Sequence, residues 1–435
     1  MSVSGQPTSD PGTPTSLLQS LGPGLLWAGT AVGVSHLVQS TRAGAGFGFA
    51  LVWVVLLANV IKYPAFEAAP RYTAATGKSL LHGYAKQGRW ALVLFLVLTI
   101  GTMFTVVGAV TIVTAGMAGA MISKSLSPPV WSAILLLATA GLLASNRFAL
   151  LEGLMKVMML LLTVSTVVCV ALLIGKVDLS SIPLGPPIPK LSTANIAFLI
   201  ALVGWMPTAI DMSVWQSLWS LEKTRTTKRR VSLAGALFDF NVGYIGTAVL
   251  AVCFVCLGAM VLNGKGVEIP NSGGAFAALF VDLYAEALGD WSRPVVLVAA
   301  FTTMLSTTIT CSDGFPRALE NAVEQLRGTG PEDGKQPSGR TTVYWIALSV
   351  VSVGALTLIT FFAENLTGLV DLATTLSFLT APLLATLNLR VVTSAEVPED
   401  ARPGPLSRTM HLVGIVFTGA LAAYYVAVRL GSYFS

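Results

Sequence analysis

Charge is what this chain has least of. Asp, Glu, Lys and Arg supply only 11% of its 435 residues, against 54% hydrophobic residues and a mean hydropathy of +0.74. A water-soluble domain of this size would need a far more charged surface, so that class is excluded. Cysteine is scarce too. Cys169, Cys253, Cys256 and Cys311 all fall inside apolar runs, where cysteine serves as a small hydrophobe, and no disulfide framework is expected. Cys253 and Cys256 form a C-x-x-C, but no second pair or nearby histidine completes a zinc site. The short alternating segments of a membrane β-barrel are missing. The stretch 76-TGKS-79 lacks the earlier glycine of a phosphate-binding loop, since Tyr72 stands there, and no strand precedes it, so no ATP-driven activity is read. The start, 1–16, has neither the basic region nor the cleavage site of a signal peptide and reads as a disordered cytoplasmic tail.

What is present is a series of apolar runs of about 20 residues, the length of a membrane-spanning helix. They fall at 20–43, 48–70, 91–122, 129–145, 149–175, 194–221, 232–262, 291–325, 342–363, 366–392 and 409–430, which makes an all-α polytopic membrane protein of eleven spans in one transporter domain, 17–435. An outer loop, 263–291, carries an amphipathic helix from about Ala275 to Leu288, and 328–340 and 394–405 read as cytoplasmic linkers. Basic residues are retained on the cytoplasmic side. Lys and Arg crowd the loops after even-numbered spans, among them Arg71, Lys78, Lys86, Arg89, Lys223, Arg225, Arg327 and Arg408, whereas the opposite side holds few, such as Arg42, Lys124, Lys265 and Arg293. That bias places the N-terminus in the cytoplasm, with a bacterial inner membrane as the expected location. The net charge of +5 therefore reports topology and not a nucleic-acid partner; the partners expected are membrane lipid and a small solute or ion.

Two spans are interrupted. In the first, 30-TAVGVSHLVQSTRAGAGFGF-49, Gly33, Ser35, His36, Gln39 and Arg42 break an apolar run; in the sixth, 204-GWMPT-208 does. Five helices separate equivalent positions. Paired interruptions of this kind mark the substrate site in transporters built from inverted repeats, because unwound backbone and half-helix ends supply ligands near the bilayer midplane. Substrate-binding candidates are therefore Gly33, Ser35, His36, Met206, Thr208 and Asp211. Asp211 lies about a helical turn beyond the break, where it could equally cap the second half-helix. Other ionisable or polar residues within the spans suggest coupling or gating: Glu67 and Arg71, four apart on one face; Asp239 and Asn241 in the seventh span; Asp313, paired with Arg317, in the eighth. His36, with an ordinary pKa near 6.5, is a candidate proton carrier, and proton coupling is an expectation.

These residues carry a resemblance. The run 22-GPGLLWAGTAVGVSHLVQSTRAGAGFGFALVWVVLLANV-60 resembles the first two helices of the Nramp (natural resistance-associated macrophage protein) metal transporters, with their GPG, DPGN and AGxxFGY motifs in register. The segment 203-VGWMPTAIDMSVWQS-217 is similar to the family's GAxxMPHxxxLHS, and 238-FDFNVGYIGTAV-249 to its seventh helix, with the asparagine at Asn241. The resemblance covers most of the chain. It implies a LeuT-like fold: two inverted five-helix repeats, about 20–175 and 194–392, plus an extra helix at about 409–430.

The departures bear on chemistry. Where the family has DPGN, this chain reads Gly33, Val34, Ser35 and His36; the histidine after Met206-Pro207 is Thr208; and the two acids of the third span are Thr102 and Thr105. The first-shell carboxylate is gone, and a metal site would rest on His36, Met206 and Asp211, with the ligand set undetermined. Three functions follow: a metal-cation transporter with altered site chemistry, a carrier of an anion or small polar organic solute, or a receptor-like or scaffold protein that no longer transports. No nucleophile–base pair or closed metal triad points to an enzyme, and no cofactor is implied.

Overall fold

In a bilayer core every backbone N–H and C=O must be satisfied within the protein, and a long apolar run does so most directly by forming a helix. The computed structural model describes residues 21–145, 148–175, 192–228, 230–267, 269–329 and 340–434, and all regular secondary structure among them is helical. The expected tail, 1–16, and most of the linker 328–340 lie outside the described residues.

The first span consists of α1 (Pro23–Ala31), a π-helical turn (Ser35–Ser40) and α2 (Thr41–Phe47), and the second is α3 (Val52–Thr76). A short helix, α4 (Leu80–Gln87), precedes α5 (Arg89–Met121), α6 (Pro128–Ala144) and α7 (Phe148–Ile174). The sixth span is split into α8 (Thr193–Gly204) and α9 (Met212–Thr227). Then come α10 (Leu233–Val261), the loop helix α11 (Gly273–Leu288), α12 (Ser292–Arg327), α13 (Thr342–Phe361), α14 (Leu366–Val392) and α15 (Pro405–Phe434).

Eight stretches among the described residues are long and apolar enough to cross a membrane. The eleven-span reading is reached because one of them, Ser35–Thr76, runs through the first span into the second, because α6 is one turn shorter than a full span, and because the sixth span is cut in two. Side-chain hydroxyls or amides cap several helices: Ser192, Ser232, Ser272 and Asn365 each accept from a backbone N–H three residues on.

The sorting of side chains is that of a protein in lipid. Trp53, Leu56, Leu57 and Val60 form an exposed face of α3, and Val93, Val97 and Ile100 one of α5, while Ser35, His36, Gln39, Asn59, Lys62 and Thr105 are buried. Without a hydrophobic force to press helices together, close packing depends on small residues. A Cβ on Gly44 would lie 2.1 Å from the Val255 carbonyl oxygen, and one on Gly258 would lie 2.3 Å from that of Thr41. α2 and α10 thus meet backbone to backbone. Beneath them, Trp27 packs against Phe66, Phe240 and Tyr244 and ties α1 to α3 and α10.

Candidate substrate site

The first span breaks because Gly33 ends the hydrogen-bond ladder of α1. Its carbonyl accepts from both His36 and Leu37, and the chain continues as a π-turn. The carbonyl of Val32 is met instead by the Thr307 hydroxyl of α12 at 3.3 Å. Gly33 itself presses on Thr307, whose methyl would lie 3.0 Å from a Cβ there. The sixth span breaks because Pro207 has no N–H to give and its ring excludes the helical path. The Ser35 hydroxyl lies between the two breaks, 3.1 Å from the Ala31 carbonyl and 3.3 Å from that of Pro207.

Each half of the sixth span ends on a charge of the sign its dipole favours. At the C-terminal end of α8, the ammonium of Lys62, from α3, donates to the carbonyls of Val203 at 2.7 Å, Gly204 at 3.0 Å and Thr208 at 3.4 Å. At the N-terminal end of α9 stands Asp211. It occupies the N-cap position, yet its side chain makes no capping hydrogen bond; the Asp211 and Met212 amides lie beside the carboxylate, but its buried Oδ1 accepts no well-formed hydrogen bond from any described residue.

Asp211 lines a small cavity with Gly33, Ser35, Thr208, Met212, Thr307 and Cys311. The cavity offers about 30 Å³ to water-sized groups, where one water needs on the order of 10–15 Å³. In this conformation it accommodates an ion or a few waters, not an organic solute of many atoms. Its polar lining is a carboxylate, a thioether, a thiol, two indoles and four hydroxyls, those of Thr30, Ser35, Thr208 and Thr307. The Thr208 hydroxyl donates to the Met212 sulfur at 2.8 Å, and the indole Nε1 of Trp215, also on the lining, has no acceptor among the described residues.

Four of the six residues expected to bind substrate, Gly33, Ser35, Thr208 and Asp211, therefore meet at one cavity. The other two do not line it. His36 is fully buried, with Nδ1 2.8 Å from the Ser35 hydroxyl and Nε2 3.0 Å from the Thr247 carbonyl of α10. Nε2 is thus engaged away from the cavity, and Nδ1 meets it only through the Ser35 hydroxyl. Met206 packs in an apolar cluster with Ala43, Val55 and Phe378. Sequence reasoning missed Met212, Thr307 and Cys311; the hydroxyl-rich run 302-TTMLSTTITCSD-313 in an apolar span was the available signal.

The expected gating residues lie apart from this cavity. Glu67 pairs with Arg71 at 2.7 Å, and Arg71 also donates to the Ala401 carbonyl at 2.9 Å, which fastens the segment before α15 to α3. Lys62 is not part of that network. Asn241 accepts from the Tyr63 hydroxyl at 2.6 Å. Arg42 binds Asp371 of α14 through both carboxylate oxygens, at 2.6 and 3.1 Å, and Gln39 donates to the same Asp371, which joins α2 to α14. The hydroxyls of Thr102 and Thr105 bond to carbonyls of their own helix. In the loop after α14, Glu396 accepts from Tyr72 at 2.5 Å and Lys78 at 2.6 Å. Burial alone would raise the Glu396 carboxyl, but those donors prevail and hold it below the usual carboxylate range.

Asp239 has a definite structural task. Its Oδ1 accepts from the Gly22 N–H at 2.8 Å and its Oδ2 from that of Gly24 at 2.6 Å, so α10 supplies the N-terminal cap that α1 lacks. Asp239→Ala removes two charge-assisted hydrogen bonds at a helix N-terminus and is expected to lower unfolding free energy by about 3 kcal/mol. Thermal unfolding of the purified variant checks this; unchanged stability would refute the cap.

Comparison with known proteins bears on the fold. A family model described as natural resistance-associated macrophage protein-like matches residues 24–428. An uncharacterised protein of Pasteurella multocida (strain Pm70) is 31% identical over 421 residues, 96% of this chain and 94% of its own length. Among solved structures, the Eremococcus coleocola manganese transporter, in complex with an aromatic bis-isothiourea substituted compound, superposes with a TM-score of 0.68 over 97% of this chain and 90% of that one, at 16% identity. MhsT in complex with L-phenylalanine superposes with a TM-score of 0.57 over 93% and 97% of the two chains, at 13% identity. At such identities the two superpositions show the fold, the LeuT-like arrangement of inverted five-helix repeats with one helix added.

Proposed function

The chain belongs to the Nramp family of membrane transporters, and from that premise we propose that it is a secondary transporter of a metal cation whose site chemistry is altered. The N-terminus faces the cytoplasm, and the ion is held between the two helix breaks. One observation carries this reading: the buried Asp211 carboxylate has an oxygen without a hydrogen-bond donor, and that residue lines the cavity together with Met212 and Cys311. An uncompensated carboxylate oxygen in a low-dielectric interior is costly, and a bound cation removes the cost. The negative charge that Gly33 no longer supplies is thus returned from the opposite break by Asp211.

The donor set favours a particular kind of cation. Thioether and thiolate are soft ligands that suit zinc, cadmium or monovalent copper, whereas magnesium requires an all-oxygen shell. Binding through Cys311 would break its S–H bond, form the metal–sulfur bond and release the proton to the aqueous side, a means of coupling metal movement to protons. Asp211 anchors the ion, Met212 and Cys311 select it, and the Ser35 hydroxyl links the two breaks beside it.

Uptake into liposomes containing the purified protein tests this reading. Cadmium or zinc is expected to enter faster than manganese, and magnesium not at all. Uptake of an anion or a polar organic solute with no metal uptake would replace this reading with the carrier alternative. Binding without uptake of any panel member would favour a receptor.

A further inference from the structure

Lys62 takes no part in the metal site proposed above. It lies midway along α3, 1% exposed, at a depth where a charged side chain is expensive. The other deeply placed cations have carboxylates: Arg71 has Glu67 and Arg317 has Asp313. Among the described residues Lys62 has no ion pair. Its partners are three carbonyl oxygens, those of Val203, Gly204 and Thr208.

We propose that these three carbonyls form a monovalent-cation site, and that the Lys62 ammonium is its resident, covalently tethered occupant. The site follows from the break. α8 stops at Gly204 and the chain is unwound up to α9, so the last carbonyls of α8 lose the N–H groups four residues on that a continuous helix would offer them, although that of Val203 keeps a 3.2 Å bond from the Met206 N–H. They also form the negative end of its dipole. Unwound carbonyls at the C-terminal end of a half-helix are the ligands by which broken membrane helices hold monovalent cations. An ammonium has three N–H donors and no acceptor, and three acceptors meet it here. Being tethered, it needs no recruitment from solution, and while it is present a free sodium ion is shut out by charge and by volume.

Thr208 connects this site to transport. Its carbonyl accepts from the ammonium, while its residue lines the cavity that also holds Asp211. The ammonium thereby fixes one wall of the cavity, the role a bound coupling ion would have if the site were open. The wild-type protein is therefore indifferent to sodium at this position. The proposal concerns the cage and holds whichever solute the cavity takes.

Thermal unfolding of the full-length protein in detergent, in choline buffer with and without an added cation, tests it without reference to substrate. Lys62→Ala removes three methylenes and the ammonium, the outline of propylammonium. Its melting temperature in choline is expected to fall, and propylammonium or sodium to restore half or more of the loss, with no such shift in the wild type. Lys62→Met fills the stem without the charge; it is expected to melt lower than the wild type and to respond to neither cation. The proposal is overturned if sodium stabilises the wild type, if folded Lys62→Ala ignores both cations, or if Lys62→Met is as stable as the wild type. Should Lys62→Ala not fold, the wild-type and Lys62→Met measurements decide alone.

Discussion

Asp211→Asn is expected to reduce metal uptake by roughly a hundredfold or more while leaving the protein folded. The substitution keeps the size of the side chain and removes its charge. Losing one partner of a buried charge pair costs about 3–5 kcal/mol, and each 1.4 kcal/mol is about tenfold in affinity. Stability should change little, because the favourable dipole of α9 is offset by the cost of burying the charge, Asp211 makes no capping hydrogen bond and its Oδ1 is without a donor. A structural cap would behave in the opposite way, with lower stability and intact transport. Initial uptake rates and calorimetric metal binding, set beside thermal unfolding, separate the two. Uptake by the asparagine variant at wild-type rates would end the assignment of Asp211 as the metal anchor.

Asp313→Ala is expected to give the largest loss of stability, about 3–5 kcal/mol. The carboxylate is the hub of a buried junction on α12. Arg317 meets it at 2.9 Å through Nη2 and 3.0 Å through Nε, the Tyr344 hydroxyl at 2.6 Å, and Arg340 at 3.3 Å. Arg340 also donates to the Leu143 carbonyl and lies over the rings of Tyr344 and Trp345. One carboxylate thus holds α6, α12 and α13 together, and its removal leaves two guanidinium groups facing each other in a half-buried space. Thermal unfolding measures the loss, and adding Arg317→Met to Asp313→Ala should recover part of it by removing one of the stranded charges. A variant as stable as the wild type would show that the junction carries no stability.

The breaks in the first and sixth spans were legible in the sequence because glycine, proline and polar side chains inside an apolar run leave few ways to continue a helix. The π-helical form of Ser35–Ser40 was not, since it goes with the contacts of Ser35 to the Pro207 carbonyl and of His36 to the Thr247 carbonyl of α10. Asp211 was legible as a candidate, but with a helical rise of 5.4 Å per turn it stands about a turn beyond the break. That estimate assumes a continuous helix, whereas the chain from Trp205 to Ile210 is unwound and folds the carboxylate back onto the cavity. The surroundings of His36 were equally hidden: its place in the motif is central, but its ring turns toward the Ser35 hydroxyl and the Thr247 carbonyl. Position along one strand of sequence says little about which side of a broken helix a side chain faces.

By itself, the sequence determined that this is a helical membrane protein, because so little charge over so many apolar residues is compatible only with lipid, and it determined where the two helices break. Its motifs pointed to the family that the comparisons then established. Only the tertiary structure decided which residues share the cavity and what holds the break open. Met212 and Cys311 come from α9 and α12, and Lys62 reaches α8 from α3 across more than a hundred residues of chain. Such meetings are set by the packing of helices whose lipid-facing and interior faces a composition can suggest, but whose pairing no single run of sequence contains.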